Sequence, residues 1–132
     1  MPVRDAGAVP DEHERKRIAV TYCQRVSAGE VERVVELFAP DATVEDPVGS
    51  GPVAGREAVR AFYRDAVDRL APRIEPGLAR ASHDGTSVVV PITVRVDLDG
   101  RDAEIAAVDL FEIDGAGAIS RLRAYWGPSD VT

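Results

Sequence analysis

The sequence predicts an α+β fold, in which three helices come first and a run of antiparallel strands follows. Two observations predict it. Apolar residues recur at helical spacing in three segments before residue 71, and after residue 85 they alternate with period two between Asp-Gly turn signals. Helices segregated from an antiparallel sheet are the α+β arrangement. A curved sheet covered by helices on one side leaves a pocket between the layers, and a ligand is expected there.

The first helix starts at Asp11. Ile18, Tyr22 and Val26 recur every four residues, with Ala19 and Cys23 beside them. Asp11 and Glu12 place negative charge at the positive end of the helix dipole. Ala28-Gly29 is the stop. The second helix carries Val31, Val34, Val35 and Phe38 at i, i+3, i+4 and i+7, and Pro40 is expected to end it. A short strand over Ala42 to Asp46 puts Ala42, Val44 and Asp46 on one face and Thr43 and Glu45 on the other. Pro47, Gly49, Gly51 and Pro52 make a loop. The third helix runs from about Arg56 to Leu70 on a stripe of Val59, Phe62, Tyr63, Ala66, Val67 and Leu70.

The strands form a meander. His83-Asp84-Gly85, Asp99-Gly100 and Asp114-Gly115 are its turns. Val88, Val90, Ile92, Val94, Val96 and Leu98 alternate on one run. Ile105, Ala107, Asp109, Phe111 and Ile113 alternate on the next, and Ala118, Ser120, Leu122, Ala124 and Trp126 on the last. Residues 1–10 read as a flexible arm and residues 11–132 as a single domain.

Composition narrows the function. At 132 residues and 45% hydrophobic content, one core can form without a metal or disulfide. A net charge of −7 makes nucleic acid and anionic membranes poor partners. The single cysteine, Cys23, reads as a packing residue with no activating base nearby. His13 and His83 have no metal-ligand spacing and are expected to face solvent, so no metal is expected. No apolar run is long enough to span a membrane, and the chain reads as cytoplasmic.

Three polar residues interrupt apolar patterns. Asp109 shares a strand face with Ile105, Ala107, Phe111 and Ile113. Buried and ionised, it would lose several kcal/mol of hydration unless paired. It is therefore either a protonated buried acid, able to donate a hydrogen bond, or a partner of Arg121 or Arg123, or part of a solvated face. Asp46 is either a pocket-mouth base or a turn-forming aspartate before proline. Tyr22 is either core packing or a donor into the pocket. Together, a carboxylate base and two neutral donors suit proton abstraction next to a carbonyl.

Several stretches carry a resemblance. Asp41-Ala42-Thr43-Val44-Glu45-Asp46-Pro47, Gly55-Arg56-Glu57, Ala61-Phe62-Tyr63-Arg64, Arg80-Ala81-Ser82-His83, Val108-Asp109 and Ala124-Tyr125-Trp126 occur in order over roughly residues 12–126. The chain resembles the bacterial delta-5-3-ketosteroid isomerases. The resemblance implies a cone-shaped fold shared with nuclear transport factor 2, a homodimer and a small-molecule steroid substrate, with no cofactor. It implies that Asp46 is the proton-shuttling base and that Tyr22 and Asp109 form the oxyanion hole. Tyr63 would bond the oxyanion-hole tyrosine, and Trp126 would stand near the base on the pocket wall. Phe38 would flank the pocket where some members carry another tyrosine, leaving a hydrogen-bond network that ends at Tyr63. The family is itself a known case of an aspartic acid kept protonated by an apolar site, so the pattern-based reading of Asp109 agrees with it and is not an independent discovery.

Three rivals are weighed against this reading. A dehydratase of the scytalone type needs pocket histidines. A limonene-epoxide-hydrolase type needs an arginine between two aspartates, and no pocket-facing arginine is evident. A non-catalytic steroid carrier would not need the base together with both donors.

Overall fold

The computed structural model describes residues 9–132. The arm expected over residues 1–10 falls outside the described residues up to residue 8, while Pro10 is buried. Helix α1 spans Glu12–Ser27 and begins with a capping box: Glu14 N–H donates to Asp11 Oδ1 at 2.8 Å. Ala28 caps its C-terminus, and Gly29 turns the chain at φ 70°. Its inward face holds Ala19, Tyr22, Cys23 and Val26, the stripe expected from the sequence, and also Arg15.

Arg15 is buried and has no carboxylate partner among the described residues. Its guanidinium donates to the backbone oxygens of Ser87 at 2.8 Å and Ser82 at 3.2 Å. These bonds tie α1 to the start of the sheet and offset the loss of water around the charge.

Helix α2 is short, Val31–Val35, and strand β1 begins at Phe38 and runs to Glu45. The expected helix through Phe38 is therefore corrected. Ile119 N–H donates to Leu37 O at 2.8 Å, and Phe38 pairs with Ile119, so sheet pairing captures the segment before a further helical turn forms. Pro40 lies inside β1, where the register shifts between Phe38 and Thr43; an irregularity of this kind is where a strand accepts proline. Beyond Phe38 and Ala39, the inward face of β1 is Ala42 and Val44, as predicted. Asp46 sits one residue past the strand. A two-residue strand β2, Val53–Ala54, pairs with β1.

Helix α3, Arg56–Leu70, matches its expected bounds. Two short strands that the sequence reading missed follow it: β3 over Arg73–Pro76 and β4 over Arg80–Ala81. Both pair antiparallel with β5, Ser87–Leu98. Strand β6 spans Arg101–Ile113 and β7 spans Ile119–Tyr125. The β5–β6 hairpin closes on Asp99 and Gly100, both at positive φ, as a tight two-residue turn requires.

The sheet order is β2-β1-β7-β6-β5-β3, with β4 also on β5. The sheet is curved, mixed and unclosed, in the cone-like form of an α+β fold. An all-antiparallel sheet was expected, but β1 and β7 run parallel. A bulge also changes one face of β7. Glu112 faces Arg121 while Ile113 faces Ile119, so Ser120 is the extra residue. Ile119, not Ser120, consequently shares the core with Leu122 and Ala124.

The core lies between the inner face of the sheet and the three helices. Phe38, Phe111, Ile119 and Leu122 are its largest fully buried side chains. Phe38 stacks against Tyr22 and Tyr63, with ring centroids 6.3 and 5.9 Å away. Truncating it leaves a void beneath both tyrosines. Phe38→Ala is expected to lower stability by about 3–5 kcal/mol, read as an earlier midpoint in urea unfolding at constant slope.

Candidate active site

A cavity of about 400 Å³ opens between α1, α3 and the inner face of the sheet. That volume lies within the range of small-molecule sites. Its walls are mostly aliphatic, including Ile74, Ile92, Val94, Ile105 and Ala107. The polar groups that face it are few: Tyr22, Tyr63, Asp46 and Asp109, with Asp65 and Arg69 on α3. The structure thus brings together the five residues singled out by sequence as Asp46, Tyr22, Asp109, Tyr63 and Trp126. Phe38 is the exception and needs correction. It is fully buried behind the tyrosine pair and is not on the cavity wall.

Asp109 sits midway along β6, opposite Val90 on one side and Ala124 on the other. It is 3% exposed. Arg121 and Arg123, the cations that could have neutralised it, approach Glu112 instead, at 3.7 and 4.0 Å. Among the described residues the Asp109 carboxyl has no hydrogen bond or ion pair. Burial, then the charge of Asp46, raises its pKa from 3.8 to about 8. At neutral pH it is a protonated acid, a donor facing an apolar cavity.

Asp46 follows the end of β1 and is held by a residue just past the end of β7, the neighbouring parallel strand. Trp126 Nε1 donates to its Oδ1 at 2.8 Å. Burial raises its pKa and the Trp126 hydrogen bond opposes that rise. The two carboxyl groups therefore differ in environment: one is capped by a donor and the other has none. Such a difference separates a base from an acid within one pocket.

Tyr22 and Tyr63 share a 2.7 Å hydrogen bond between their hydroxyls. Desolvation holds both phenols well above their usual pKa, so both stay protonated. Phe38 and Phe111 pack edge-on to Tyr22, at centroid separations of 6.3 and 5.2 Å, and hold its ring in place.

The remaining candidates stay apart from the cavity. His13 and His83 are exposed. Cys23 is buried, and burial pushes its thiol up to about 12, which leaves it unreactive. Among the described residues no group of three or more His, Cys, Asp or Glu side chains could hold a metal. No described helix is long and apolar enough to cross a membrane.

Sequence reading missed Asp65 and Arg69. It found no pocket-facing arginine, yet Arg69 lines the cavity at its outer end. The signal was present: Phe62, Ala66 and Arg69 follow i, i+4, i+7 on one side of α3. Among the described residues Asp65 is the one carboxylate in ion-pair contact with Arg69.

Comparisons with known proteins find relatives that are named as enzymes. The SnoaL-like domain family matches residues 19–122. The epoxide hydrolase LasB of Streptomyces lasalocidi is 44% identical over 126 residues, covering 92% of this chain but only 44% of LasB, so the chain spans less than half of that relative. The steroid delta-isomerase of Nocardioides simplex is 32% identical over 126 residues, covering 89% of this chain and 94% of that enzyme. Among solved structures, the epoxide hydrolase/cyclase-like enzyme SalBIII, described in pyran ring formation in the polyether salinomycin, superposes with a TM-score of 0.88 at 36% identity, over 92% of this chain and 96% of that one. RV0760c from Mycobacterium tuberculosis, solved with estradiol-17beta-hemisuccinate, has a TM-score of 0.84 at 22% identity, over 90% and 98% of the two chains, a likeness of fold.

The raised pKa of Asp109 sets a sign for stability against pH. Between pH 3.8 and about 8 the unfolded chain has this carboxyl ionised while the folded one keeps it protonated. The native state binds more protons there, so stability falls as pH rises through that window. Urea unfolding from pH 5 to 9 is expected to show the decline. Asp109→Asn should flatten most of it, leaving the smaller slope in the same direction that Asp46 contributes.

Proposed function

The chain belongs to the SnoaL-like family, and on that premise we propose that it is an isomerase that moves the C5–C6 double bond of a 3-keto-5-ene steroid to C4–C5. The observation that carries this reading is the pairing of a base with two neutral donors in one apolar cavity. Asp46 is the base; Tyr22 and protonated Asp109 are the donors.

The steroid's 3-oxygen accepts hydrogen bonds from Tyr22 and Asp109. The Asp46 carboxylate takes a proton from C4, and the electrons of that C–H bond move into a dienolate whose oxygen becomes negative. The donors stabilise that charge in a site with little water, where hydrogen bonds to an oxyanion are strongest. Asp46, now protonated, returns the proton to C6. The product is the conjugated enone, and Asp46 is regenerated. Tyr63 acts through Tyr22: their hydroxyls lie 2.7 Å apart, and when Tyr63 is the donor the Tyr22 hydrogen is left for the substrate oxygen. Trp126 acts through Asp46, fixing the carboxylate and favouring its charged form. One carboxylate serves both proton transfers, so the reaction needs no cofactor. Val108 and Tyr125, both exposed and paired in register on the outer face of β6 and β7, support a homodimer.

A second reading is favoured by the identities to LasB and SalBIII. In epoxide opening, Asp109 would protonate the epoxide oxygen as its C–O bond breaks. Asp46 would take the proton of the attacking hydroxyl. The same acid and base suffice, but this reading leaves the Tyr22–Tyr63 pair without a comparable role.

Mixing the protein with androst-5-ene-3,17-dione is expected to produce the ultraviolet absorbance of a conjugated enone. No absorbance change, together with turnover of a hydroxy-epoxide, would replace the isomerase reading with the second one. Asp46→Asn is expected to lower turnover by at least about 10³-fold, near the upper part of the general-base range. Tyr22→Phe and Asp109→Ala are each expected to lower kcat by about 10²–10³-fold, as for other oxyanion donors. A phenolic steroid resembling the dienolate should bind Asp109→Ala more weakly than the unaltered protein, measured by fluorescence titration.

A further inference from the structure

The cavity has a second polar end. Tyr22, Tyr63 and Asp109 lie at its buried end, each less than 5% exposed. Arg69 is at the open end, where its side chain is 65% exposed. Tyr63 and Arg69 are six residues apart on α3, which is about 9 Å along the helix axis. That is comparable to the length of a four-ring steroid skeleton. The wall along this stretch includes Ala66 from the helix, and Val94 and Ile105 from the sheet.

Arg69 is held in a defined pose. Its Nε donates to both Asp65 carboxylate oxygens at 3.1 Å, and its Nη2 lies 3.0 Å from Asp65 Oδ2. Asp65 precedes it by four residues, the favourable order for a helical ion pair. The guanidinium has five N–H groups, and this fork leaves Nη1 without a hydrogen-bond partner among the described residues. Asp65 pairs with Arg69, and the negative charge of Asp99 also acts on it. The arrangement therefore disfavours an anion and suits a neutral acceptor.

We propose that Arg69, oriented by Asp65, is a specificity-determining residue that donates to a neutral oxygen at the end of the ligand remote from the reacting carbonyl. The ligand class is a steroid ketone carrying an oxo group on the ring farthest from C3. The proposal rests on the isomerase reading for its orientation, with the 3-oxygen at the Tyr22–Asp109 end.

Matched substrates test it. The wild-type protein is expected to favour androst-5-ene-3,17-dione over androst-5-en-3-one by about 5- to 10-fold in kcat/KM, carried by KM and not kcat, as for an exposed charge-assisted hydrogen bond. Arg69→Leu should bring that ratio close to one, and Arg69→Lys should leave it in between. A ratio that is unchanged in Arg69→Leu, or a preference carried by kcat, would overturn the proposal while leaving the isomerase reading standing. If neither ketone is isomerised, the reading of the reaction fails, and the rim is still tested by binding. Estrone, which carries the 17-oxo group, is then compared with 17-deoxyestrone by fluorescence titration. An affinity gap of about 5- to 10-fold that Arg69→Leu removes supports the proposal; equal affinities, or binding of neither, overturn it.

Discussion

Asp109 is an acid placed on the inner face of β6 with no cation to meet it among the described residues. Its cross-strand neighbours, Val90 and Ala124, are apolar, and the two arginines of β7 are engaged on Glu112. Ionised, the carboxyl would forfeit most of its hydration with nothing in return, so it keeps its proton. That one constraint organises the pocket. It requires a dry cavity, which α1 and α3 supply by covering the sheet. It also divides labour between two chemically identical side chains. Asp46 has a donor in Trp126 that favours its charge; Asp109 has none and is pushed up further by the charge of Asp46 itself. Environment, not residue type, sets the two carboxyl groups apart.

The tyrosines complete this arrangement from the helical layer. Tyr22 comes from α1 and Tyr63 from α3, and their hydroxyls meet at 2.7 Å. The bond joins two helices whose tyrosine rings also meet edge-on at 5.9 Å. Phe38, Phe111 and Phe62 surround the pair at ring separations of 5.1 to 6.3 Å. Rings that pack edge-on at these distances leave little room for rotation, so the hydroxyls arrive at the cavity already oriented. Donors fixed in advance need not reorganise as charge develops on a substrate oxygen, which is where their effect on a reaction comes from. A pocket built in this way is not confined to one reaction. Relatives of this chain are named for epoxide hydrolysis and for steroid isomerisation.

Most of the site was legible because each of its residues breaks a local rule. Asp109 interrupts an apolar strand face, Tyr22 sits on a core helical stripe, and Asp46 ends the apolar face of Ala42 and Val44. Period-two and period-3.6 patterns are properties of consecutive residues, so the sequence by itself determined α1, α3, the meander and the inward direction of these side chains. The resemblance to ketosteroid isomerases then suggested which of them act together. Pairing direction, bulges and partner choice are different in kind. They depend on residues far apart in the chain, and only the tertiary structure decided them. It set β1 parallel to β7, drew Phe38 out of a helix and into the sheet, and turned Ser120 out of the core through a bulge. It sent Arg121 and Arg123 to Glu112 and so left Asp109 unpaired, an outcome the pattern had left open. It also brought Arg69 to the cavity, because which side of α3 faces the ligand is fixed by how that helix lies across the sheet.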